Sequence, residues 1–310
     1  MADLPLPNVF PRSAPTSHLR GIGLSVLGFG CFSMMDAIVK QLSGRYSVPQ
    51  ILFFNALFAI IPILILATRS SEGLATLKTC RLKWHVARGS CGVCAGFLGF
   101  YAIGRLPLAD FYALVFSAPL FITAISSLIL GEHVGWRRWV AVIIGFCGVI
   151  IMLRPGDGVV STASWAAVIA AFLFATGMMI VRWMRNTESS LSFALYGNLA
   201  NLCVTTFIMP SAFVTPSWRD LGLSALCGGF GFCALISVIT AFRIAPAATV
   251  APFQYSQMLW GVLIGVLIFG EQPDAWLAVG GGIIIGSGLF ILHRETQIAK
   301  AAKREQQNAS

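Results

Sequence analysis

Charge is scarce in this chain. Only 11% of its 310 residues are Asp, Glu, Lys or Arg, against 57% hydrophobic residues, whereas soluble domains carry roughly 25% charged residues. A water-soluble globule of this size cannot cover itself with so little polar surface. Histidine is scarce as well. His18, His85, His133 and His293 all fall outside the apolar runs or at their rims. A membrane-embedded enzyme needs a convergent set such as Ser/His/Asp, paired acids or histidine-rich helices, and none is visible. There is no GxxxxGK[ST] loop, which argues against direct ATP hydrolysis. No pore-lining row or selectivity ring appears, which argues against a passive channel. Metal-site spacing is missing too: Cys91-x-x-Cys94 has no second pair. The eight cysteines lie nearly all inside apolar runs, as small packing residues. No cofactor is expected.

What the chain has is apolar length. A helix crossing the hydrocarbon core needs about 20 apolar residues. Ten segments qualify: 20–42, 48–68, 83–104, 107–130, 136–153, 163–184, 190–211, 219–241, 246–269 and 275–293. Barrel strands alternate polar and apolar residues; these runs are apolar all round, so the fold expected is all-α. The first seventeen residues hold four prolines and no apolar run, and the last seventeen are polar and basic. Both read as cytoplasmic tails.

The net charge is +9, from 21 Lys and Arg against 12 Asp and Glu. Nucleic-acid binding needs such charge gathered on one face or domain, but here it sits at the edges of the apolar segments. With the N-terminus inside, 16 basic residues fall on the cytoplasmic side and five outside: Lys40, Arg45, Arg105, Arg154 and Arg219. That asymmetry predicts a multi-pass protein of the cell (inner) membrane with both termini cytoplasmic. Seven tryptophans mark span ends; Trp260 alone sits in mid-span. The polar stretch "ILGEHVGWRRW" (129–139), with Glu132, His133, Arg137 and Arg138, then falls in a cytoplasmic turn, where its charges cap helices and set topology.

An internal repeat organises the spans. "RLPLADFYALVFSAPLFITAISSLILGE" (105–132) aligns with "IAPAATVAPFQYSQMLWGVLIGVLIFGE" (244–271) at an offset of 139 residues. Pro107 meets Pro246, Ser117 meets Ser256, and Gly131-Glu132 meets Gly270-Glu271. Five spans per copy is an odd number, so the second copy enters the bilayer inverted. The expected domains are an N-terminal tail (1–19), a first five-helix repeat (20–154), an inverted second repeat (155–293) and a C-terminal tail (294–310). Inverted repeats of this kind are a transporter architecture, with the substrate site at mid-membrane between the halves.

The stretch "LPLADFYALVFSAPLFITAISSLILGEHVGWRRWVAVIIGFCGVIIMLRPG", with the ten spans and two halves, resembles the EamA-type drug/metabolite transporter superfamily. The likeness covers roughly residues 20–293. Lys40 matches that family's usual lysine, whereas Asn55 stands where the family often has an arginine. The resemblance implies a secondary transporter that moves a small organic metabolite by alternating access. Amino acids, amines and nucleoside-type metabolites are the implied substrates, with uptake of S-adenosylmethionine-like or riboflavin-like compounds as the rival reading.

Candidate site residues are polar or aromatic groups in lipid-buried positions. A charged side chain at the bilayer centre costs about 2.5–3.5 kcal/mol on insertion scales. Asp36 is the deepest acid, either paired with Lys40 at i,i+4 or acting as a handle for a proton or cation. Gln254, Gln257 and either Trp260 or Gly261 share a face of span nine, and are expected to line a water-filled path rather than lipid. Tyr112, Phe116, Pro119 and Thr123 form a stripe on span four with Ser117 beside them, either a pocket wall or aromatic packing. Asn55, Tyr101, Asn198 and Asn201 are further candidates of the same sort, either lining the substrate path, as expected of Asn55 and Tyr101, or making polar contacts that join helices. Arg88 lies inside span three, within snorkelling reach of the cytoplasmic face. Three Gly-x-x-x-Gly pairs, at 92/96, 261/265 and 282/286, allow close helix approach, either within the monomer or in a homodimer. The expected partners are thus a small-molecule substrate, protons if transport is coupled, and lipid.

Overall fold

A computed structural model describes residues 15–70, 73–130, 136–153, 161–184, 187–244, 251–272, 275–291, 293–294 and 297. The predicted turn at Gly131, Glu132 and His133, the Pro246 region, the 154/155 repeat junction and nearly all of both tails lie outside them. The helices are α1 (Pro15–Ser43), α2 (Val48–Thr68), α3 (Leu82–Ile103), α4 (Leu108–Val115), α5 (Ala118–Leu130) and α6 (Trp136–Leu153). They continue as α7 (Thr162–Met184), α8 (Ser190–Ile208), α9 (Trp218–Ile244), α10 (Ser256–Phe269) and α11 (Leu277–Ile291). Seven segments are long and apolar enough to cross a bilayer, and three shorter apolar helices complete the ten expected among the described residues.

The molecule is inside-out relative to a soluble one. Large apolar side chains such as Phe207, Leu259 and Leu267 lie on the surface, while Ser25, Ser33, Asp36, Ser117 and Thr123 are buried. Lipid solvates the first set, and the helix–helix seams hold the second.

Exchanging the two halves maps the packing onto itself. α1 packs on α9 as α7 packs on α3, and α2 packs on α9 as α8 packs on α3. α1 meets α10 as α7 meets α5, α2–α8 and α6–α11 are contacts between equivalent elements, and α4–α10 joins the two equivalent spans four and nine. These are the relations expected of two inverted five-helix repeats.

Span four differs from the expectation of a continuous helix over 107–130. It breaks at Phe116–Ser117, between α4 and α5. Pro119 supplies the cause, because it lacks the N–H that would bond the Val115 carbonyl and its ring crowds that carbonyl. Span nine changes geometry at the equivalent place. A 3-10 turn, Ala251–Tyr255, gives way to α10 at Ser256. Span ten opens with a π-helical turn over Leu277–Gly281, packed on α6 so closely that Gly148 and Gly280 leave no room for a Cβ against each other's carbonyls.

Candidate substrate site at the seam of the two halves

Three spans meet at the seam: α1 and α4 from the first half, α10 from the second. On α1, Ser33, Asp36 and Lys40 recur at spacings of three and four, which sets them on one helix face. Ser33 and Asp36 are buried, Asp36 at 5% exposure. The Tyr112 hydroxyl donates to Asp36 Oδ2 at 2.8 Å, and the Gln257 amide donates to the same oxygen at 3.5 Å. Ser33 donates to the Phe29 carbonyl at 3.2 Å and lies 3.5 Å from the Gln257 carbonyl. One carboxylate thus ties together three helices from both repeats.

Glycines make the approach fit. A Cβ on Gly261 would overlap the Tyr112 ring, and a Cβ on Gly265 would stand against the Glu271 carboxylate. The 261/265 pair therefore admits a ring and a carboxylate within the monomer, a form of the close approach expected of it. Gly96 takes Leu52 in the same way, whereas Gly92, Gly282 and Gly286 have nothing within 4 Å where a Cβ would stand.

Aromatic rings continue the cluster. Tyr112 stacks on Phe116 with centroids 6.4 Å apart, and Phe116 meets Tyr255 edge-on at 5.1 Å. Phe116 and Tyr255 are equivalent residues of the two repeats, so the halves touch through their own break points. The neighbouring serines match as well. Ser117 donates to the Leu114 carbonyl and Ser256 to the Phe253 carbonyl, each at 2.6 Å. Trp260, the lone mid-span tryptophan, packs against the main core, with its indole 3.4 Å from where a Gly30 Cβ would stand.

One end of the seam is closed by an ion pair. Lys40 Nζ contacts the Glu271 carboxylate and donates to the Leu106 carbonyl. Glu271 Oε2 also accepts from the Leu108 N–H at 2.9 Å, an otherwise unsatisfied donor in the first turn of α4. Gly270 makes this reach geometrically available. Its φ of 66° ends α10 in a left-handed cap and folds Glu271 back along the helix. The i,i+4 pairing of Asp36 with Lys40 is therefore replaced. Lys40 turns to Glu271 instead, and Asp36 keeps only neutral donors among the described residues.

The other candidates are dispersed. Gln254 is half-buried in the 3-10 turn. Asn55 donates to Cys227 Sγ at 3.2 Å and joins α2 to α9. Tyr101 shares a hydrogen bond with Thr162 at 3.0 Å, beneath the Arg105 guanidinium. Asn198 and Asn201 donate to carbonyls one turn back in their own helix, so they do not bridge helices through those bonds. Arg88 is held inside the bundle, donating to the Phe193 carbonyl at 2.8 Å. His85 lies at the rim as expected, yet it is buried there, 3.1 Å from Glu188.

Sequence reasoning missed Ser33, Tyr255 and the Lys40–Glu271 contact. The signal for the last was present. Lys40 ends span one and Glu271 follows span nine, which run in the same direction, so both reach the same face.

Relatives of known name align along nearly the whole chain. The model of the EamA-like transporter family matches residues 19–154 and 161–293. An S-adenosylmethionine uptake transporter of Rickettsia conorii is 30% identical over 296 residues, covering 96% of this chain and 100% of the relative. A riboflavin transporter of Vibrio cholerae is 29% identical over 282 residues, covering 88% and 92%. A pseudopaline exporter of Pseudomonas aeruginosa is 27% identical over 278 residues, covering 88% and 96%. A solved crystal structure aligns with a TM-score of 0.59 at 19% identity, over 91% of this chain and 96% of its own; that likeness concerns the fold.

Proposed function

The chain belongs to the EamA-like transporter family, and we propose that it carries a small organic metabolite across the inner cell membrane by alternating access, both termini lying in the cytoplasm. Its substrate is an amino acid, an amine or a related metabolite, held at the seam by Asp36, Tyr112, Gln257 and Trp260. Gln254, Phe116 and Ser117 complete the path in this reading, and Asn55 and Tyr101 line its approaches.

The observation that carries this reading is the buried Asp36–Tyr112–Gln257 cluster joining the two repeats. Taking a carboxyl group out of water is costly unless it is compensated, and among the described residues Asp36 holds hydrogen bonds from neutral groups alone. A solute that passes the seam accounts for such an expense; packing alone does not. Alternating access then takes a definite form. The Lys40–Glu271 contact closes the end of the seam that the charge distribution places outside. It parts when the halves rock open on that side, and the breaks in spans four and nine serve as pivots.

A second reading is uptake of S-adenosylmethionine or riboflavin, favoured by the names of relatives that align end to end. Both readings meet one experiment. Protein reconstituted in proteoliposomes is offered radiolabelled amino acids, amines, S-adenosylmethionine and riboflavin, with and without a pH gradient. Saturable uptake of one class, reduced in Gln257→Ala and Trp260→Ala proteins that still insert normally, is the expected result. Movement of none in either direction overturns the transport reading. Proton coupling is read in the same vesicles. If uptake follows the gradient in wild type, Asp36→Asn should lose that dependence, and unchanged dependence removes Asp36 as the proton handle.

A further inference from the structure

We propose that the seam site selects solutes bearing a positive charge, and that Asp36 is the residue that sets this preference. The proposal rests on the transporter reading above and narrows it to organic cations.

The charges at the seam do not balance. Lys40 and Glu271 neutralise each other, and Lys40 is further bound to the Leu106 carbonyl. Arg88 is held by Phe193, contacting both its carbonyl and its ring. Asp36 is left with two neutral donors, the Tyr112 hydroxyl and the Gln257 amide. Both hydrogen bonds land on Oδ2, so among the described residues Oδ1 is the oxygen left to accept from a solute. Among the described residues an ionised Asp36 gives the seam one uncompensated negative charge, and in a low-dielectric setting that charge attracts a cation strongly. An anionic solute meets repulsion there, and Lys40, one turn along α1, is already paired.

The walls agree in sign. Tyr112, Phe116 and Tyr255 form a continuous aromatic run from Asp36, and Trp260 flanks Gln257 one turn along α10. Ring faces carry the negative lobe of the aromatic quadrupole and favour ammonium or sulfonium groups. A carboxylate beside several rings is a recognition set for a positive centre carried on a partly apolar body.

The test compares matched solutes that differ by one charge. S-adenosylmethionine carries a sulfonium that S-adenosylhomocysteine lacks; choline carries a quaternary ammonium that 3,3-dimethylbutan-1-ol lacks. Equilibrium binding is measured on protein in lipid nanodiscs. Wild type should bind the charged member of at least one pair about tenfold tighter or more. Asp36→Asn should lose that preference, and Asp36→Glu should keep it. Should Asp36→Asn fail to insert, Gln257→Lys supplies an internal counter-ion and should abolish the preference by the opposite route. The proposal is overturned if wild type binds each neutral partner as well as its charged one, binds no charged member, or keeps its preference in Asp36→Asn and Gln257→Lys. Uptake of neutral solutes in proteoliposomes alongside such a result would leave the transport reading standing and remove only the charge selection; no uptake of any solute would remove both.

Discussion

Spans four and nine are one backbone design carrying two chemistries. Each breaks at an aromatic–serine pair, Phe116–Ser117 and Tyr255–Ser256, and each serine bonds the carbonyl three residues back. The residues around the breaks do not match. At the offset of 139, Tyr112 corresponds to Ala251, Gln257 to Ala118, Trp260 to Phe121 and Gly261 to Ile122. In the alternating-access cycle proposed above, backbone symmetry is what would let two inverted halves adopt equivalent alternative packings. Side-chain asymmetry places one polar cluster at the seam instead of two. Each repeat supplies part of it: Asp36 and Tyr112 from the first, Gln257 and the glycine that admits Tyr112 from the second.

The largest effect is expected where the asymmetry is steric. Gly261→Val would drive a branched side chain into the Tyr112 ring. Overpacking of this kind costs about 1–3 kcal/mol, and here it also displaces the hydroxyl from Asp36. The thermal melting temperature should fall and uptake should be lost; a Val protein with wild-type uptake would show that the Tyr112–α10 contact is dispensable. Next in size are Gln257→Ala and Trp260→Ala. Removing one contact worth about 1.4 kcal/mol lowers affinity tenfold, so each should raise the uptake KM with little change in melting temperature. The equivalent first-repeat change, Phe121→Ala, should disturb packing with Phe146 and Phe172 and lower stability more than it raises KM.

A smaller effect is expected at the closing contact. Glu271→Gln keeps the shape but removes the charge from the Lys40 pair, so the seam should open more often at that end. A Ser117→Cys probe, in a background lacking the native cysteines, reports this through its rate of labelling by a water-soluble thiol reagent. Ser117 is fully buried in the closed arrangement. Faster labelling with Glu271→Gln is the expected outcome, and an unchanged rate would mean that the ion pair does not hold the seam shut.

The ten spans and the repeat were legible because each rests on a property that local sequence carries: apolar length, and recurrence at a fixed offset. The break in span four was half legible. Pro119 was visible, but the sequence alone does not say whether a proline kinks a helix or interrupts it. Partnerships were the least legible. Asp36 and Lys40 at i,i+4 make an ion pair look local, yet Glu271, 231 positions further on from Lys40, competes for the lysine and holds it. That outcome depends on Gly270 adopting a left-handed conformation and on Gly265 leaving room for the carboxylate, both facts of three-dimensional packing. Likewise, nothing in the spacing distinguished Asn55, which joins two helices through Cys227, from Gln257, which reaches Asp36.

The finest test of the two-fold relation uses its most conservative pair. Ser117→Ala and Ser256→Ala each remove one side-chain hydrogen bond to the carbonyl three residues back, in equivalent turns. Side-chain hydrogen bonds between membrane helices average about 0.6 kcal/mol, and these local bonds should contribute no more, so each variant should melt only slightly lower than wild type. If the breaks are equivalent pivots, the two variants should shift melting by similar amounts and change the uptake rate in the same direction, and the double variant should behave as their sum unless the Phe116–Tyr255 contact couples them. Opposite effects on uptake would mean that the two breaks share a backbone form without sharing a role, with one acting as the pivot and the other only as packing.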